Sequence, residues 1–131
     1  QRFLLPGRPY RDRLDFLCNP HPPGPRFYRI SSLRETGGWP TDYPSEGRLY
    51  EDVALILRLL ERFHIRHVDR TVYNMRIHSQ NTSQVNLGQW WPTVRPVMEE
   101  SLRKWGLTCT VDYDSSCNHV LLRPQNESPA P

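Results

Sequence analysis

The chain has 131 residues, the common size of a single domain, with 37% hydrophobic and 24% charged residues. Its net charge of +3 is basic but modest, and no apolar run reaches the roughly 18 residues that a membrane span requires. Three cysteines, Cys18, Cys109 and Cys117, are an odd count without metal-type spacing, which argues against a disulfide framework and for a reducing, intracellular compartment.

Proline and arginine are unevenly distributed. Eight of the 13 prolines precede residue 45, in a chain with about twice the usual proline share of roughly 5%. All but Lys104 of the 17 basic residues are Arg, whose planar fork suits phosphates, carboxylates and aromatic faces. Residues 1–26 therefore read as an extended Pro/Arg-rich arm, because proline fixes φ and pushes its predecessor toward extended geometry. Apolar residues through the arm fit it to dock on a protein partner, with Tyr10, Arg11, Arg13, Phe16 and Arg26 as the docking set. Gln1 in place of a methionine reads as a processed or cut end.

A domain is expected over residues 27–123, followed by a flexible tail over 124–131. Phe27 to Ser31 suits a short strand, and Gly37-Gly38 with Trp39-Pro40 marks a loop. From Arg48, the apolar positions Leu49, Val53, Ile56, Leu57, Leu60 and Phe63 recur at helical steps, which predicts a helix ending near His64. Residues 70–78 alternate: Tyr73, Met75 and Ile77 face one way, Asn74, Arg76 and His78 the other. A second helix is predicted from Thr93 as N-cap, with Val94, Val97, Met98, Leu102 and Trp105 as its apolar stripe and Gly106 just past its end. Leu107 to Asp112 and His119 to Arg123 form a hairpin. A two-residue turn at Asp114-Ser115 would set Val120 opposite Cys109 and Leu122 opposite Leu107. The expected fold is α+β: a two-layer sandwich of a mixed sheet in β-α-β-α-β-β order, with two helices on one face.

Motifs for catalysis are lacking. His64, His67, Asp69 and His78 share no helix face that would fix a metal, so no metal or cofactor is expected. Cys117 has only His119 for a partner, and the serines lack a nucleophile-elbow context. Glu51-Asp52 and Glu99-Glu100 are adjacent pairs that diverge on a helix. No enzyme activity and no small-molecule substrate are expected. The remaining constellation is the open sheet face: Arg70, Asn74, Arg76 and His78 with Thr108, Thr110 and His119, bordered by Trp90 and Trp91. Arginines beside aromatic planes suit single-stranded RNA; alternatively, the polar residues simply face water and the tryptophans are core.

The β-α-β-α-β-β order resembles Smr nuclease domains and the C-terminal domain of bacterial initiation factor three. Val94-Arg95-Pro96-Val97 through Trp105-Gly106-Leu107, with His119-Val120-Leu121-Leu122, is similar to an Smr ending. That family's Asp-Leu-His-Gly and Gly-rich His-Ser motifs are absent; only Ile77-His78-Ser79 is similar to them. What the resemblance implies is a fold, and at most a degenerate nuclease using His78 with Asp69. The leading expectation is a non-catalytic interaction module in a larger protein assembly, its arm on a partner. An RNA- or single-strand-binding sheet face is the alternative.

Overall fold

Tyr10 to Asn19 is a window free of proline, and within it the chain makes a helix. The computed structural model describes residues 7–20, 26–70, 73, 78, 80, 81 and 85–124. Asp12 caps α1, Arg13–Cys18, by accepting the Asp15 N–H at 2.8 Å. At the other end the Asn19 side chain donates to the Asp15 carbonyl at 3.0 Å, and Pro20 follows. The expectation of an extended arm is thus corrected over this window. Phe16 and Leu17 are completely buried in the same cluster as Val53 and Val94 of later helices, so the core draws on residues well before position 27.

The strand expected over Phe27–Ser31 is also replaced by a helix, α2, Ile30–Glu35. Ser-Ser-Leu-Arg-Glu tolerates helical geometry, and a helical stop lies directly beyond it. Gly37 and Gly38 both have positive φ, and the Gly38 N–H donates to the Leu33 carbonyl at 2.8 Å. With no strand over Phe27–Ser31, the β-α-β-α-β-β order that resembled Smr domains is not found among the described residues.

A turn over 40–50 leads into the next helix, and Gly47 is required there. Its φ is +66°, and a Cβ would sit 2.6 Å from the Pro40 carbonyl oxygen. Gly47→Ala is expected to lower stability by about 1–2 kcal/mol, measured as a reduced urea midpoint.

Helix α3, Glu51–Leu59, is shorter than its apolar pattern suggests, giving way to a turn over 60–62 instead of reaching His64. Its residues Val53, Ala54, Leu55, Ile56, Leu57 and Leu59 are all buried, which is more than one stripe. Helix α4 spans Trp90–Lys104, so Thr93 is not its N-cap and Pro96 falls in the second turn. The expected stripe is otherwise present: Val94, Val97, Met98 and Leu102 are buried, and Trp105 packs beside them. Gly106, with φ of +74°, ends the helix while Leu107 N–H returns to the Leu102 carbonyl at 2.9 Å.

Strands β1, Cys109–Asp114, and β2, His119–Pro124, pair antiparallel. The register differs from the two-residue-turn expectation. Val111 lies opposite Leu122 and Tyr113 opposite Val120, because a four-residue loop, 115–118, joins the strands. Asp114 holds that loop open by accepting the Ser116 N–H at 2.9 Å and its hydroxyl at 2.6 Å. The shift from the expected pairing is an even number of residues, so every side chain stays on its assigned face.

The result is a small α+β domain with four α-helices and a two-stranded antiparallel sheet among the described residues. One apolar cluster unites Phe16 and Leu17 of α1, Val53, Ala54, Ile56 and Leu57 of α3, Val94, Val97, Met98 and Leu102 of α4, and Val111 and Val120 of the hairpin. Of the strand expected over 70–78, only Tyr73 and His78 after Arg70 are described; Tyr73, expected to face inward, is exposed. Among the described residues no helix is long and apolar enough to cross a membrane.

Candidate functional site

The hairpin's outward face is less open than its alternation suggests. Thr110 turns its hydroxyl toward the Arg123 carbonyl at 3.5 Å. Arg123 donates to one Asp112 carboxylate oxygen at 2.9 and 3.2 Å, and these bonds hold that carboxyl below its ordinary range. His119 is half-buried, its Nδ1 lying 3.1 Å from Asn19 Oδ1 at the end of α1. Thr108 and Arg70 are exposed; Asn74 and Arg76 lie outside the described residues. His78 lines an open hollow of about 600 Å³ together with residues 48–52 at the start of α3. Asp69, its expected companion, is exposed and does not line that hollow.

Trp90 and Trp91 do not border this polar face. Their ring centroids stand 4.8 and 5.5 Å from that of Tyr113, which lies on the Val111 side of β1 and hydrogen-bonds Asn118. Both tryptophans pack on the core. Their first-turn position on α4 turns them onto the hairpin's inner surface, away from the polar face they were expected to border.

The residues expected to dock the arm on a partner instead hold it to its own domain. Phe16 is completely buried, and Tyr10 packs edge-on against it at 5.1 Å. Arg13 lies 4.7 Å above the Trp105 ring, and Arg26 pairs with Asp52 at 2.7 Å. Arg11 alone of the five still points outward; its side chain is 85% exposed. The anchor is Asp15, which sequence reading did not single out. Its carboxylate accepts Arg8 through both oxygens at 2.9 and 3.0 Å and the Arg11 N–H at 3.0 Å. The Arg8 hydrogen bonds, then that of the Arg11 backbone, lower its pKa to about 2.

Two other surfaces emerge. The first is residues 26–43, tied alongside α3 by the Arg26–Asp52 pair and by Arg58 donating to the Thr36 carbonyl at 3.3 Å. This ribbon carries Phe27, Ile30, Trp39 and Tyr43, all exposed, while α2 within it contributes no buried residue. Its signal was present in the sequence but was absorbed into the strand expected there. The second is a hollow of about 310 Å³ between the lead-in to α1 and the end of α3, lined by Tyr10–Arg13, Leu60 and Phe63–Ile65.

Thiols and histidines are dispersed. Burial pushes the Cys18 thiol up, Cys109 is half-buried against the core, and the exposed Cys117 Sγ lies 4.0 Å from the Asp114 carbonyl oxygen. Among the described residues no three His, Cys, Asp or Glu side chains converge as a metal site would require. No family model, curated protein or solved structure matches this chain.

Proposed function

We propose that the chain is a non-catalytic interaction module within a larger protein assembly, and that residues 26–43, not the lead-in to α1, are its docking face. The observation that carries this reading is a helix that adds nothing to the core: none of the six residues of α2 is buried, Ile30 at its start is 64% exposed, and Phe27 just before it is 90% exposed. An isolated helix this short is unstable in water, and fully burying a large apolar side chain gains about 1.5–3 kcal/mol. Arg29 and Arg34 are exposed on the same ribbon, and arginine and aromatic residues are enriched where interfaces concentrate their binding energy. The polar sheet face is the weaker candidate, since Arg123, Thr110 and His119 already have partners within the domain.

The test compares the wild-type chain with Phe27→Asp/Ile30→Asp as bait in nuclease-treated lysate. A protein that co-purifies with the wild type should be lost from the double variant, with at least a tenfold fall in recovered partner, corresponding to about 1.4 kcal/mol or more. Thermal unfolding of the two chains should agree, since neither side chain is in the core. Equal recovery with both baits would overturn the assignment of this face.

A further inference from the structure

The lead-in to α1 and the segment after α3 lie side by side. Gly7 backs onto His67, so closely that a Cβ there would come within 3.1 Å of His67 Nε2. Further along, Tyr10–Arg13 face Leu60 and Phe63–Ile65 across the hollow of about 310 Å³. Its volume is at the lower end of small-ligand sites, enough for one flat group rather than an extended molecule.

Charge around the hollow is uneven. Asp15 does not neutralise Arg11 closely: its oxygens are taken by Arg8 and by the Arg11 N–H, and the Arg11 guanidinium stays 3.9 Å away. Asp12, the one carboxylate among the described residues of the wall, caps α1 and stands against two arginines there, Arg11 and Arg13. Arg62 lies between the lining residues Leu60 and Phe63, and beyond Ile65 the chain continues with Arg66 and Arg70; all three are exposed and without an ion pair among the described residues. Glu61 and Asp69 are the acidic residues of that stretch, so arginine outnumbers carboxylate along the whole edge.

We infer that this edge binds single-stranded nucleic acid, with Arg11 and Arg66 on phosphates and one base in the hollow against Phe63. Arginine forks match phosphate bidentately, and an aromatic ring beside a basic groove is the pairing on which single strands bind. An acidic peptide would use the charge and leave the aromatic wall unused. The inference is independent of the docking face, which lies on the 26–43 ribbon.

The experiment is fluorescence anisotropy of a labelled oligouridylate against the whole chain across a salt series. Binding should weaken steeply with salt, and Arg11→Gln and Arg66→Gln should each reduce the log–log slope by about 0.7, the single-strand value per phosphate contact. Phe63→Leu keeps apolar bulk but loses the ring, and should weaken binding about tenfold at fixed salt. Arg103→Gln, on the outer side of α4 and paired with Glu100 at 2.7 Å, should change neither. Absence of binding at low salt would overturn the inference. So would an oligoglutamate competing as well as the RNA, or a Phe63→Leu variant binding like wild type.

Discussion

Phe16→Ala is expected to lower the unfolding free energy by about 3–5 kcal/mol, the range for removing a fully enclosed aromatic side chain. The ring has no exposed surface, and Tyr10 rests edge-on against it, so the surrounding cluster has little freedom to collapse into the space. A domain of this size is stable by about 5–15 kcal/mol in total. Removing residues 1–20 takes away Leu17 and the Asp15 network as well, and should abolish the cooperative transition. Urea unfolding followed by tryptophan fluorescence distinguishes the outcomes. Phe27→Ala serves as the control: the ring is the same size but 90% exposed, and the change should stay within about 0.5 kcal/mol. A truncated chain that unfolds with the full-length midpoint would show that α1 is dispensable to the core.

Asp15→Asn should destabilise by about 2–3 kcal/mol at neutral pH and also remove a pH dependence. The substitution keeps the shape but turns an amide N–H₂ toward the Arg8 guanidinium or leaves one of its hydrogen bonds unmade, where a carboxylate had accepted both. The carboxyl pKa falls from its ordinary 3.8 to about 2 on folding. The unfolded chain therefore binds the proton first as pH drops, and stability rises with pH between these values. The contribution is fully present above about pH 4 and is lost as pH falls through about 2. At about 1.4 kcal/mol per pKa unit, and allowing for solvent screening near the surface, it amounts to about 1–2 kcal/mol. The wild type should lose this amount between pH 7 and pH 2 relative to the variant. Parallel curves for the two chains would mean that Asp15 titrates alike in both states.

The most regular parts of the pattern were legible in advance. The stripe of α4, its stop at Gly106 and the two faces of the hairpin follow from local spacing and from the freedom of glycine at positive φ. The lead-in helix was not. Prolines at 6, 9, 20, 22, 23 and 25 dominate the composition, and the decisive feature is the interval among them, where Asp12 supplies a cap and Leu14, Phe16 and Leu17 supply an apolar side. The segment beginning at Phe27 misled for the opposite reason: its aromatic and β-branched residues suit a strand, but a strand needs a neighbour, and the glycines at 37 and 38 complete a helix without one. The candidate sites shared this fate. Trp90 and Trp91 were expected to border the polar face, but their side of the hairpin depended on where α4 begins, three residues before the expected cap.

Sequence alone determined which short stretches are amphipathic, where glycine must end a helix, and that the hairpin's apolar and polar residues fall on opposite sides. These properties depend on residues only a few positions apart. Tertiary structure alone decided that Phe16 and Leu17 belong to the core, that Asp15 fastens the lead-in, and that Tyr10–Arg13 meet Leu60 and Phe63–Ile65 around a hollow. Each of those joins groups brought together by packing: His119 and Asn19 meet across a hundred residues of chain, and no local spacing encodes that encounter. Apolar burial is non-directional, so the pattern specifies that side chains are buried, while the closing of the whole core selects the partners they are buried against.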